Sequence, residues 1–144
     1  MKNGIYQTLI VLVSLCSSVN LIAQSTSLEV TVKNIKGTKG TIRVGLFNNE
    51  EQFLKTPLKG KVVKVSGTEV KVTFEDLPFG DYAVSVIHDE NENGELDSNA
   101  IGMPKEGFAF GNNAMGTFGP PSFNKAKVKV GDSPVQQTVS LKYL

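Results

Sequence analysis

The sequence predicts an all-β domain, a Greek-key sandwich of about seven short antiparallel strands, and three observations carry that expectation. Apolar and polar residues alternate with a period of two in stretch after stretch, the signature of a sheet with one wet face. Turn-forming residues separate those stretches, and no segment supports a long helix. Leu77-Pro78-Phe79-Gly80-Asp81-Tyr82 has the makings of a tyrosine corner: proline fixes one backbone angle, glycine permits a tight reversal, and the tyrosine ties its hydroxyl back to the corner.

In chain order, Met1-Lys2 gives a minimal positive start. Ile5 to Val19 is uncharged and dominated by Leu, Val and Ile, and small Ala23 precedes polar Ser25-Thr26-Ser27. Residues 1–24 therefore read as an export signal cleaved near Gln24, too short and weakly flanked for a retained anchor. Removing 24 of 144 residues leaves 120, residues 25–144, which is one domain by length and enough to bury its own core. The single cysteine, Cys16, falls within the signal, and bulky Leu15 before it argues against lipid attachment. The mature chain then carries no disulfide, thiol nucleophile or cysteine–zinc site, and its one histidine, His88, rules out a multi-histidine metal centre.

Strands follow. Leu28, Val30 and Val32 alternate with Glu29, Thr31 and Lys33; Ile42, Val44 and Leu46 repeat the pattern, and another strand runs through Val62, Val63 and Val65. Val70, Val72 and Phe74 come next, then Tyr82, Val84 and Val86. Near the end Ala126, Val128 and Val130 oppose Lys125, Lys127 and Lys129, and Val135, Val139 and Leu141 oppose Gln136, Thr138 and Ser140. The best helical candidate is a turn or two at Asn49 to Leu54, with Asn49 as cap and Gln52 closing a capping box.

The segment His88 to Asp97 is the most informative. It holds Asp89, Glu90, Glu92, Glu95 and Asp97 with no basic residue, a repulsion that a bound cation would relieve. Asp89, Asn91 and Asn93 fall at positions 1, 3 and 5 of an EF-hand-type loop, Gly94 at 6, Glu95 at 7 through its carbonyl, and Asp97 at 9. These hard oxygen donors suit calcium. Position 12 is Ala100 instead of glutamate, so Asn99, Glu106 or backbone carbonyls would have to complete the shell. The competing reading is an exposed connection in which Asn93-Gly94 makes a turn and the charges are solvated. His88 is expected to be a strand-end histidine hydrogen-bonded to this loop, since Asp89 alternates to the opposite face and no nucleophile motif accompanies it. As a glycosidase pair, Asp89 and Asp97 are poorly placed: eight residues apart on one loop, in a chain without tryptophan.

Gly102 to Phe123 is long, glycine-rich and aromatic, with Phe108, Phe110, Phe118 and Phe123 making half of the eight phenylalanines. Either these rings cover one end of the sandwich or they are displayed to a partner; prolines 104, 120 and 121 stiffen the path and favour packing. Phe108, Phe110, Asn112, Asn113 and Phe118 are the candidate binding residues of this segment.

The whole chain has 15 basic and 14 acidic residues, and loss of Lys2 with the signal leaves 14 of each, which argues against nucleic-acid binding and polybasic membrane attachment. His88-Asp89-Glu90-Asn91-Glu92-Asn93-Gly94, Asp97, Gly102, Pro104, Glu106-Gly107-Phe108, Asn112-Asn113 and Phe118-Gly119-Pro120-Pro121-Ser122-Phe123 form an ordered series of motifs. Gly45-Leu46-Phe47, Phe53 and Leu77 to Val84 precede them. Over nearly the whole mature chain this series resembles the secreted bacterial proteins grouped as domain of unknown function 2141. It departs from them at Ala109-Phe110-Gly111, where a Gly-Phe-Ser-like run is usual. The resemblance implies an exported single-domain protein whose acidic and Phe-rich loops belong together, and it supplies no catalytic residue.

The expectation is thus an extracytoplasmic sandwich similar to immunoglobulin or prealbumin modules. It would act as a non-catalytic binding or structural unit of the cell envelope, with a calcium-stabilised loop and an envelope or extracellular protein or glycan as partner, and with no membrane span once the signal is cleaved. The alternatives are an envelope or carbohydrate hydrolase working through the acidic loop, and an adhesion or assembly component presenting the Phe108 to Phe123 surface.

Overall fold

The computed structural model describes residues 24–144. Residues 1–23, Cys16 included, lie outside the described residues, and with them nearly all of the expected export signal.

Among the described residues, eight strands form two sheets. β1 (Ser25–Lys33), β4 (Glu69–Pro78) and β8 (Val135–Ser140) make a three-stranded sheet in the order β4-β1-β8. β2 (Thr41–Phe47), β3 (Lys59–Lys64), β5 (Gly80–Asp89), β6 (Gly107–Phe110) and β7 (Lys127–Val130) make the other, ordered β3-β2-β5, with β6 and β7 both on the free side of β5. All seven expected strands are present, and the pairing is antiparallel except between β1 and β8, which run parallel. Among the described residues, no helix is long and apolar enough to cross a membrane.

The alternating residues meet where the pattern demands. Leu28, Val30, Val32, Val72, Phe74 and Val139 of one sheet face Ile42, Val44, Leu46, Tyr82, Val84 and Val86 of the other, all nearly or fully buried in one core. Such side chains each contribute roughly 1.5–3 kcal/mol when removed from water. A single residue, Phe79, separates β4 from β5, so the chain changes sheets within one sharp corner. Tyr82 closes that corner by donating its hydroxyl to the Pro78 carbonyl at 2.8 Å. Burial raises the Tyr82 phenol above its ordinary range, as expected where ionisation would forfeit this bond.

The Asn49–Leu54 segment is a turn, not a helix. Asn49 caps it, its Oδ1 accepting the Gln52 N–H at 2.9 Å, and Leu54 then enters the left-handed region at φ 60, which ends any helical path.

The larger sheet has a second buried face. Phe47, Phe53, Ala83, Phe108, Phe110, Phe123 and Ala126 form a satellite cluster on it, against which Leu96 and Met115 pack. Two arms of chain supply this cover: the Phe53 turn and the segment 111–126. That second segment interrupts one edge strand. β6 pairs with Ser85–His88 and β7 with Gly80–Ala83 of the same strand, leaving Val84 opposite the break. β6 and β7 are therefore two halves of one strand from which residues 111–126 loop out and return.

Candidate functional site

The acidic loop begins at the end of β5, on the outer face of the larger sheet. Asp89 is fully buried there and accepts from both sides of the turn: the Asn93 N–H on Oδ1 at 3.1 Å and the Gly94 N–H on Oδ2 at 2.8 Å. Gly94 sits at φ 88, a conformation that favours glycine. Arg43, on the same face of neighbouring β2, brings Nη1 to 3.6 Å from Asp89 Oδ2. The segment itself holds no basic residue, so its counter-charge comes from another strand.

Asp97 is reached from the other side. Asn91 donates its amide to Oδ2 at 2.6 Å and Asn93 donates to Oδ1 at 3.0 Å. Their own amide oxygens accept backbone N–H groups, Asn93 on Asn91 at 3.1 Å and Glu95 on Asn93 at 2.9 Å. Asp89, Asn91, Asn93 and Asp97 thus turn toward one another around Asn93-Gly94, while the side chain of Glu95 is exposed. Among the described residues, no three His, Cys, Asp or Glu side chains converge closely enough to hold a metal by themselves. An ion here would depend on two carboxylates together with amide and carbonyl oxygens.

Glu106 has a different part from the one its sequence position suggested. It is buried, and its carboxylate spans the mouth of the loop, taking the Glu90 N–H at 2.9 Å and the Asp97 N–H at 3.0 Å. Asn99 is spent on the following turn, its Oδ1 accepting from Ile101 and Met103.

His88 points the other way, into the end of the main core; its hydrogen bonds go elsewhere, and its contact with the acidic loop is Nδ1 at 3.9 Å from Glu90 Oε1. Nε2 faces the Lys39 carbonyl at 2.9 Å, an acceptor only, so that nitrogen carries the proton; Nδ1 then accepts from the Tyr143 hydroxyl at 2.8 Å. The Tyr143 oxygen in turn accepts the Lys36 N–H at 3.0 Å. Burial raises the Tyr143 phenol, the Lys36 N–H works against that rise, and nearby Glu90 adds to it. Tyr143 was not singled out in the sequence, where it is one aromatic near the C-terminus. Its ring lies where any side chain on Gly107 would stand, which explains the glycine that opens β6.

The aromatic candidates separate into two kinds. Phe108 and Phe110 are interior, on β6 instead of in a loop, and available to the satellite cluster and not to a partner. Phe118 alone is displayed, fully exposed at the tip of the 111–126 segment. Asn112 and Asn113 do not line a groove. Both take left-handed backbone, at φ 57 and 51, and both are clips. Asn112 donates to the Lys125 and Lys127 carbonyls and accepts from Gln137, while Asn113 donates to the Thr138 carbonyl and accepts the Ser140 N–H. They pin the base of the excursion to α1 (Phe123–Ala126), β7 and β8. Gly111 lets the strands close in there, since a Cβ would run into the Ala126 carbonyl.

A family model described as "Uncharacterized protein conserved in bacteria (DUF2141)" matches residues 30–138. The chain belongs to that family. The matched span takes in the acidic loop, β6, the asparagine clip and Phe118, so every candidate site residue of this DUF2141 protein lies in the part it shares with its family. No curated protein and no solved structure matches.

Proposed function

We propose that this DUF2141 chain is an exported, non-catalytic binding or structural module of the cell envelope whose acidic loop is held by calcium. The observation that carries the reading is the inward turn of Asp89, Asn91, Asn93 and Asp97 upon one another. Each asparagine oxygen spends one lone pair on a backbone N–H and keeps a second for an ion. A bound ion would take the place of the two amide groups on Asp97, and the Glu95 carbonyl would join the shell. Arg43 offsets part of the loop's charge, consistent with a weak, extracellular-type affinity. Export is supported by the signal-like start and the cysteine-free remainder. The non-catalytic reading is supported by His88, whose two ring nitrogens are both engaged inside the fold. An envelope or extracellular protein or glycan is the partner that a chain of balanced charge would meet there, with Phe118 as the displayed contact.

Thermal melting across a calcium titration tests the proposal. Millimolar ion should stabilise the wild type by about 1–3 kcal/mol through mass action, and Asp97→Ala should fold yet lose the increment. A wild-type melting curve indifferent to calcium would overturn the ion's role. Turnover of a polysaccharide that disappears in Asp89→Ala would overturn the non-catalytic reading and favour the hydrolase.

A further inference from the structure

Asn93-Gly94 is the one asparagine–glycine pair in residues 24–144, and it sits at the centre of the clamp just described. Asn93 is exposed, and Gly94 offers a backbone nitrogen unshielded by a side chain. That N–H is aimed at the buried Asp89 carboxylate, an acceptor for its proton. The Arg43 guanidinium lies over the same peptide, 3.6 Å from where a Gly94 Cβ would be, and so favours negative charge developing there.

We propose that Asn93 is a self-modification site, deamidating through a cyclic imide, and that the conversion replaces the neutral clamp on Asp97 with carboxylate repulsion. In the first step the Gly94 nitrogen attacks Asn93 Cγ. The N–Cγ bond forms, the Cγ–Nδ2 bond breaks, and Nδ2 departs as ammonia with the Gly94 amide proton. Water then adds to one imide carbonyl and cleaves its bond to nitrogen, leaving aspartate or isoaspartate at position 93. Asp97 loses the donor that now stands 3.0 Å away, and a third carboxylate joins Asp89 and Asp97. The expectation that a divalent cation relieves this repulsion rests on the calcium reading above; the covalent step does not.

The test is to hold the full protein in chelator at neutral and mildly alkaline pH, with peptide mass mapping and isoaspartate detection. Asn93 should gain the mass of an amide-to-acid conversion ahead of Asn34, Asn99 and Asn113. Asn93→Gln should stay unconverted while remaining folded, and Arg43→Gln should slow the step more than Arg43→Lys. Conversion at Asn93 no faster than at those other asparagines would overturn the site. Asn93→Asp should melt below the wild type in chelator, and equal melting would overturn the loss of the clamp. If the wild type ignores calcium while Asn93→Asp is rescued by it, the calcium reading of the unmodified loop fails and the modification stands.

Discussion

The two long segments flanking β6 cover the same face of the larger sheet by opposite means. Residues 90–106 are held by polar contacts: the Asp89–Arg43 pair, the amide clamp on Asp97, and Glu106 across the mouth. Residues 111–126 are held by apolar burial and by the uncharged amide bonds of Asn112 and Asn113, with Phe123 edge-on to Phe53 at 5.8 Å and Phe53 edge-on to Phe47 at 5.3 Å. Apolar burial does not depend on charge, so the second cover should ignore salt, pH and ions. The first should answer to all three. One fold therefore carries a fixed cover and a responsive one side by side, and the responsive one contains every candidate metal ligand except Asp89, which stands at the end of β5 just before it.

The strongest challenge to that contrast is Phe123→Ala. It removes the ring linking the excursion to the Phe53 turn and should cost about 3–4 kcal/mol, with the same loss in urea melts at low and high salt. Marked salt dependence would show that the two covers are not independent. Glu106→Gln should cost roughly 2–3 kcal/mol, because one of two backbone N–H groups then meets an amide donor in place of a carboxylate oxygen. Amide hydrogen exchange should quicken at Glu90 and Asp97 and stay unchanged at Ala126.

Alkaline titration sharpens the picture at both ends of β5. Tyr82 and Tyr143 hold their protons more tightly folded than unfolded, so their contribution to stability is complete below pH 10.0, the ordinary phenol value. It should be lost as pH rises through the higher folded values, seen as a fall in the urea midpoint that Tyr143→Phe reduces. The smallest effect should come from Phe118→Ser, within about 0.5 kcal/mol because the ring touches nothing that folding buries. If the displayed ring serves a partner, capture from envelope extract should fall while the melt stays fixed.

The alternating strands and the Tyr82 corner were legible because their cause is local: a period of two and a proline–glycine reversal. β6 was not. Gly107, Phe108, Ala109 and Phe110 are buried on both faces, so no alternation marks them, and they sit within a glycine-rich run that resembles a loop. Asn112 and Asn113 looked like groove lining because a polar pair in sequence cannot reveal that its amides reach carbonyls on α1, β7 and β8. Spacing groups Asp89, Asn91, Asn93 and Asp97, which the fold turns toward one another, but Arg43 is hidden in sequence as one polar residue in an alternating strand. His88 was rightly read as a histidine at the end of a strand, while its partners, Lys39 and Tyr143, come from segments distant in sequence.

The parallel seam between β1 and β8 has a kinetic consequence. The first strand of the folded unit rests against the last, and Asn34 bonds the Leu141 carbonyl across 107 positions of chain. The smaller sheet gains its third member only once residues 135–140 have been made, and contacts so distant in sequence are slow to find. A ribosome-bound intermediate that stops before residue 135 should therefore stay open to proteases, and a variant without residues 135–144 should leave β1 as an exposed edge prone to pairing between molecules.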